Sequence, residues 1–340
     1  MRNILIILSI CICSVFKTFG QDHVYSQFYN SPLYLNPALN GQFEGDFRIN
    51  MIYRSQWSSI SGPLDYYSLS ADLNVPQFGG GFGVIASRSS EGTAYLNQTN
   101  LSGIYAYSVE FGSSGTLSFG LQGGFTNRSL DYDKLLFYDQ LNEQGIILGG
   151  VSAASPPIYN NKYYFDASAG LNVVIGNFMI GGSGHHLNTP NESFTGTSSS
   201  LPMRITGYMS YKLSLDYYDN EDSPYLTPSI MYQNQSNNKS ISAGFQVKKR
   251  GVNAGLWYRG QGDQKDAVVF SLIFDIFSRK DYYDKVRLGV SHDATTSKLG
   301  YGNTSGSTEV AFVYETSFPN SSNFGNGRSS NFGKKCYDFY

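Results

Sequence analysis

The chain has 340 residues, a net charge of -2, and equal shares of aromatic and charged residues, 15% each. A near-neutral chain whose longest basic run is Lys248-Lys249-Arg250 offers no electrostatic footprint for nucleic acid. Its 27 tyrosines and 37 glycines, beside few strong helix formers, argue against a helical protein.

Residues 1–20 read as a signal peptide. Arg2 supplies the positive start, Ile4 to Val15 the apolar core, and Thr18-Phe19-Gly20 the cleavage region before Gln21. The core is too short for a spanning helix. Ile10 stands where a lipoprotein signal needs a small residue before Cys11. Cleavage removes Cys11 and Cys13 and leaves Cys336 alone, so no internal disulfide is expected.

Residues 21–45 form a lead-in that contains YNSPLYLNPALNG, Tyr29 to Gly41, without a charge. Pro32 and Pro37 fix the backbone and remove donors, which predicts ordered structure that is not strand. Phe28, Tyr29, Leu33, Tyr34, Leu35 and Leu39 make it too apolar for a free tail. The expectation is a segment that folds against the periplasmic mouth of the domain C-terminal to it, plugs the lumen of that domain, or forms a periplasmic docking patch.

Beyond residue 45 the apolar residues recur with period two. Leu117, Phe119, Leu121 and Phe125 alternate with Ser118, Gly120, Gln122 and Thr126; the same alternation runs through Phe165–Ile175, Met203–Leu213 and Ile241–Val247. Fourteen such segments start near Asp46, Leu64, Gly80, Gln98, Gly115, Tyr164, Phe178, Met203, Tyr225, Lys239, Val252, Asp266, Lys285 and Ser307. No apolar stretch past the signal approaches the ~20 residues of a membrane helix, but a β-barrel crosses with strands of ~10. If the first strand runs outward, the long connectors near Arg128–Tyr163 and Leu187–Pro202 both come after odd strands. The tight ones at Gly112-Ser113-Ser114, Gly176-Asn177 and Arg250-Gly251 come after even strands. Outer-membrane barrels sort their loops in this way and soluble sandwiches do not. Asp216–Pro224 fits the parity poorly. Tyr66-Tyr67, Tyr105, Tyr107, Tyr163-Tyr164, Tyr217-Tyr218 and Tyr282-Tyr283 lie near strand ends, where an aromatic girdle belongs. The fold class is all-β: a transmembrane antiparallel barrel of about 14 strands over residues 46–318, with a periplasmic tail at 319–340. An even-stranded barrel that starts outward has both termini in the periplasm.

No constellation for catalysis stands out. His185 and His186 are adjacent, so on a strand they face opposite ways and cannot share a metal unless the chain turns there. Gly181-Gly182-Ser183-Gly184-His185 fails the hydrolase elbow at its last position, and Gly79–Gly83 lacks the lysine and helix of a phosphate loop. Asp131, Asp133, Glu143 and Glu192 are single loop carboxylates. No enzyme, catalytic residue, metal or cofactor is expected. Arg54 should point into the lumen, because a lipid-facing arginine near the midplane costs ~2–4 kcal/mol. Trp257 and Arg259 face inward, as a stack or cation–π pair, while Tyr258 continues the outward apolar face. Inward aromatics such as Trp257 and Tyr208 argue for a filled lumen.

Together these segments resemble the PorP/SprF proteins of Bacteroidetes. The resemblance is carried by Asn36-Pro37-Ala38 and Gly41, by Arg54-x-Gln56-Trp57, and by His186-Leu187 with Pro190, Ser193 and Phe194. It continues at Gly255-Leu256-Trp257-Tyr258-Arg259, Thr308-Glu309-Val310 and Lys335-Cys336. The chain departs from the family pattern at Thr308, where histidine is usual, and at Tyr337, where proline is usual after the cysteine. The resemblance implies a non-enzymatic outer-membrane barrel of the type IX secretion system, linked to gliding motility. Such a barrel supports secretion or surface anchoring of a large adhesin, or another client, with a C-terminal sorting domain. Implied partners are outer-membrane lipid, that client, and periplasmic ring or peptidoglycan-binding lipoproteins. Asn36, Pro37, Arg54, Gln56, Trp57, His186, Leu187, Pro190, Trp257, Tyr258, Arg259, Glu309 and Cys336 are the candidate family-motif and partner-binding positions. The alternative is a porin-like or ligand-specific channel.

Overall fold

The computed structural model describes residues 22–62, 64–93, 96–112, 114–145, 152–216, 223–261, 264–279 and 284–318. The signal segment, the tail from 319 with Cys336, and the Tyr217-Tyr218 and Tyr282-Tyr283 pairs lie outside the described residues. Fourteen strands come after the lead-in. They are β1 (Phe47–Gln56), β2 (Leu64–Val75), β3 (Gly80–Glu91), β4 (Leu96–Phe111), β5 (Gly115–Ser129), β6 (Asn161–Ile175) and β7 (Phe178–His185). Then come β8 (Arg204–Tyr211, resumed at Leu213–Ser214), β9 (Tyr225–Gln235), β10 (Asn238–Lys249), β11 (Val252–Gln261), β12 (Gln264–Arg279), β13 (Asp284–Thr295) and β14 (Ser307–Thr316). The two pieces of β8 pair with the same neighbour, β9, and so count as one strand. Each strand pairs antiparallel with the next, and β14 pairs with β1 from Phe47↔Thr316 to Gln56↔Ser307. That last ladder closes the barrel and leaves no free edge between first and last strands.

The side-chain pattern is inverted relative to a soluble protein. On β1 and β2, Arg48, Asn50, Arg54, Ser68, Ser70 and Asp72 are buried, while Met51, Tyr53, Tyr67, Leu69 and Leu73 are exposed. The same inversion holds on β5, and on β6 apart from the buried Tyr164 and Val174. A polar interior inside an apolar wall is stable only where lipid covers the wall. Tyr53 and Tyr67 stack outside at one rim, ring centroids 4.8 Å apart, and Phe78, Phe82 and Tyr105 cluster at the other. Of the Tyr66-Tyr67 and Tyr163-Tyr164 pairs, only Tyr67 and Tyr163 face outward; Tyr66 and Tyr164 are buried, as strand alternation requires. The connectors that leave β5 and β7 share one end of the barrel, and the turns after β2, β4, β6 and β10 share the other.

The lead-in lies inside the lumen. It consists of short helical turns at Phe28–Asn30, Pro32–Leu35 and Pro37–Leu39, with each proline at a first helical position where no amide proton is needed. Its upper end is at the long-connector side: the Asp22 amide donates to Gln235 Oε1 at the tip of β9 (2.8 Å). Its lower end is at the short-turn side, where the Gly41 amide donates to Asp72 Oδ2 (2.8 Å). The C-terminal end is also at the short turns, since the Phe318 amide donates to Asp46 Oδ2 (2.7 Å). The described chain therefore begins and ends at opposite mouths. The plug runs antiparallel to β1 before it, so residues 22 and 318 lie at different mouths.

Candidate functional site

A buried ion network fastens the plug to the wall. Arg54 of β1 donates from Nη1 to Glu309 Oε1 of β14 (2.5 Å) and to Asp293 Oδ2 of β13 (2.9 Å). Arg259 of β11 donates from Nη2 to the same Asp293 oxygen (2.9 Å) and from Nε to Asp266 Oδ2 (2.5 Å). Ser26 of the plug sits between them. Its hydroxyl donates to Asp293 Oδ2 (2.7 Å) and accepts from Arg259 (2.8 Å) and Arg54 (3.1 Å). The Ser26 and Gln27 amides then donate to the two oxygens of Glu309 (2.6 and 2.9 Å). Charges this deep are tolerated only when paired, and the plug backbone supplies Glu309 with hydrogen bonds beside its ion pair.

Lower down, the plug passes close to the backbone of β5 and β6. Asn36 caps the Pro37–Leu39 turn by accepting from the Ala38 amide (2.9 Å). Its Nδ2 donates to Leu171 O (2.9 Å) and Tyr208 Oη (2.9 Å). The approach requires glycine on the wall. A Cβ at Gly170 would lie 1.8 Å from Asn36 Oδ1, and one at Gly120 would lie 2.2 Å from the Pro37–Ala38 backbone. Trp257 packs edge-on to Phe28 (centroids 5.2 Å) and stacks on Tyr29 (5.9 Å). At the base, Arg48 bridges Asp72 (2.7 Å) and donates to Leu39 O (3.2 Å).

Residues 17–314 match the family described as type IX secretion system membrane protein PorP/SprF. The chain belongs to the PorP/SprF family. It is accordingly an outer-membrane barrel of a secretion system, in a family that is not one of enzymes. No curated protein sequence matches this PorP/SprF chain. Among solved structures it is similar to the toluene transporter TbuX of Ralstonia pickettii, with a TM-score of 0.49, 11% identity, and coverage of 85% of this chain and 94% of that one. It is also similar to a deletion mutant of the TodX monoaromatic hydrocarbon channel, with a TM-score of 0.47, 13% identity, and coverage of 85% and 94%.

The structure of this PorP/SprF protein brings Arg54, Arg259 and Glu309 together, with Asn36 and Pro37 further along the plug and Trp257 packed against it from the wall. Gln56 touches Arg54 weakly, Nη2 to Oε1 3.4 Å. Trp57 leaves β1 with a positive φ of 59°. Leu187 and Tyr258 are exposed, away from the plug, and Pro190 is buried in the connector, where its carbonyl accepts from the Leu201 amide. Trp257 and Arg259 both point inward but not at one another: the tryptophan meets plug aromatics and the arginine meets carboxylates. Glu192 is not a free loop carboxylate, since it pairs with Arg128 (2.5 Å). Sequence reading missed Ser26, Asp293, Asp166 and Asp22. A buried lumenal arginine demands a carboxylate partner, and Asp293 on the inward face of β13 was the available signal.

His186 forms a second anchor. The chain turns at its positive φ of 58°, so His185 and His186 both become buried instead of facing opposite ways. Among the described residues no cluster of three or more His, Cys, Asp or Glu is placed to hold a metal. His186 instead bridges plug to wall, Nε2 to Asp22 Oδ2 (2.7 Å) and Nδ1 to Asp166 Oδ2 (2.9 Å). Arg204 adds a third contact to Asp22 (3.0 Å). Burial opposes a charged His186, but Asp22 and Asp166 outweigh it and raise its pKa to about 9. Burial likewise opposes the Asp22 carboxylate, yet His186 and Arg204 hold it well below the usual range. A raised folded-state pKa gives a contribution that is complete below 6.5 and is lost as pH rises through about 9. Amide protection of Asp22 to Ser26, corrected for intrinsic exchange, is expected to fall across that window. His186→Asn flattens the profile; an unchanged wild-type profile rules out the anchor.

Proposed function

We propose that this chain is a plugged, non-conducting barrel that supports secretion and cell-surface anchoring of a large adhesin, or another client with a C-terminal sorting domain, linked to gliding motility. Residues 1–20 direct it to the outer membrane of a Bacteroidetes cell. Its long connectors face outward, as in bacterial outer-membrane barrels. The observation that carries the reading is the plug. Residues 22–43 occupy the lumen by aromatic packing and by buried hydrogen bonds to four or more wall strands. A lumen filled in this way is unsuited to passing a protein client, so the barrel's useful surfaces are its outer connectors and its periplasmic base. The client meets the first, and ring or peptidoglycan-binding lipoproteins meet the second.

The test is a pull-down with a tag in the connector near Ser155, from outer membranes solubilised in mild detergent. Co-purification of a large surface protein with a C-terminal sorting domain, or of periplasmic ring components, is the expected result. Recovery of the barrel alone, with single-channel conductance on reconstitution, overturns the reading in favour of a channel.

A further inference from the structure

The lipid-facing wall has a sector at the long-connector mouth that neither the plug nor the long connectors use. There two residues separate β9 from β10, and two separate β11 from β12, so the strands end at the lip. The outward positions of β10 are Lys239, Ile241, Ala243, Phe245, Val247 and Lys249, an apolar run with a lysine at each end. Roughly ten residues of strand at about 3.4 Å each, tilted by about 40°, rise about 26 Å. The apolar band of an outer-membrane barrel is about 25 Å tall. The two lysines therefore stand at the two headgroup levels, Lys239 at the long-connector side.

Cross-strand register places a second lysine beside Lys239. Ile241 pairs with Gly260 of β11, and Gly260 pairs with Lys265 of β12, all on the outer face. Lys239 is one outward position beyond Ile241, so the Cα atoms of the two lysines are roughly 12 Å apart across the sheet. Both lysines are exposed. Gly260 leaves a gap between them, and the ring of Tyr258 rises into it from below. A Cβ at Gly260 would lie 3.3 Å from that ring and 3.4 Å from its hydroxyl. Tyr258 is 48% exposed. Among the described residues its hydroxyl has no hydrogen bond and neither lysine has an ion pair. The Thr296 amide donates to Asp266 O, which leads the next connector, with the exposed Lys298, past Lys265. The carboxylates at this end of β12 and β13, Asp266 and Asp293, turn inward to Arg259. The outer face of the lip thus keeps its positive charge.

This arrangement selects a ligand class. Two ammonium groups and a phenol are all donors, and a phosphate has oxygens enough to accept from all three. Directly below them Ile241, Leu256 and Phe270 are exposed and apolar. A soluble anion would meet the lysines and leave that wall uncovered. A neutral lipid would cover the wall and leave the lysines unpaired. An acylated, phosphorylated molecule meets both at once.

We propose that Lys239, Lys265 and Tyr258 bind the phosphate of an outer-leaflet glycolipid of the lipid A type, whose acyl chains lie on the apolar wall below. The site rests on the orientation proposed above, with the long connectors outside, and is independent of the client role.

The test is native mass spectrometry of the full-length barrel extracted from outer membranes, then titration of the delipidated barrel with lipid A. One retained phosphorylated glycolipid per barrel is the expected result. The double variant Lys239→Gln, Lys265→Gln should weaken lipid A binding at least about tenfold. Tyr258→Phe, which keeps the ring and removes the hydroxyl, should weaken it by a smaller factor. Lys249→Gln, at the opposite lip, should leave it unchanged, and heat-modifiable migration verifies that each variant folds. Loss with Lys249→Gln alone overturns the orientation, and the site with it. Absence of retained glycolipid, or full binding by the double variant, overturns the site while the orientation stands. Equal binding of dephosphorylated lipid A or of phosphatidylglycerol overturns the proposal, as does displacement of lipid A by inorganic phosphate at equal concentration.

Discussion

Deletion of residues 22–43 is expected to turn a silent barrel into a conducting one. The wall closes on itself through the β1–β14 ladder without help from the plug, so the barrel should still assemble. Removal of the plug exposes a lumen lined by Arg48, Asn50, Asp72, Ser168 and Arg287, polar groups that water solvates readily. Single-channel recording in planar bilayers should show stable openings for the deletion and near silence for the intact chain. Gly170→Val gives the same test by a single change. Even its Cβ would fall 1.8 Å from Asn36 Oδ1, on an amide that is itself tied to the Ala38 amide, Leu171 O and Tyr208 Oη. The expected phenotype is intermittent opening with a plug newly sensitive to protease. Equal silence of the intact chain and the deletion, with barrel assembly verified by heat-modifiable migration, would show that the plug is not what closes the lumen.

Arg54→Met should be the most damaging single substitution in the site. It strands Glu309 as a buried carboxylate without its ion-pair partner, while Asp293 keeps Arg259. Breaking one side of a buried pair costs about 3–5 kcal/mol. The loss should appear as a lower denaturant midpoint in micelles and as lost amide protection at Ser26 and Gln27, whose N–H groups bond to Glu309. Adding Glu309→Gln should recover much of the loss, because a neutral amide no longer needs the guanidinium and still offers an oxygen to the plug amides. The two changes are in contact, so their effects should be far from additive. A single-mutant cost below about 1 kcal/mol, the size of an exposed pair, would mean that water reaches the network.

Much of the wall was legible because a strand repeats every two residues and a barrel wall has two unlike solvents. Alternation placed Arg54, Trp257 and Arg259 inward and Tyr258 outward, and connector lengths sorted the two ends. The plug was legible only as a class: apolar, uncharged from Tyr29 to Gly41, stiffened by Pro32 and Pro37. Its contacts were not. Asn36 meets Leu171 and Tyr208 across more than a hundred residues, and nothing local marks those partners. Gly120 and Gly170 read as ordinary strand glycines until the plug is seen against them, its Pro37–Ala38 backbone on the first and the Asn36 side chain on the second. Strand alternation puts His185 and His186 on opposite faces, and it fails where the backbone turns left-handed at His186.

Period-two patterning, connector lengths and composition by themselves determined a fourteen-stranded barrel whose polar side is inside. These are local properties, and each strand carries them independently. Tertiary structure alone decided that the lead-in threads the lumen, that its first residues reach the long-connector mouth, and that Arg54, Arg259, Asp293 and Glu309 meet at Ser26. Those outcomes depend on barrel closure. Only when β14 pairs with β1 do inward charges from β1, β11, β13 and β14 face a common axis, where low dielectric makes each need a partner and the plug backbone completes the set.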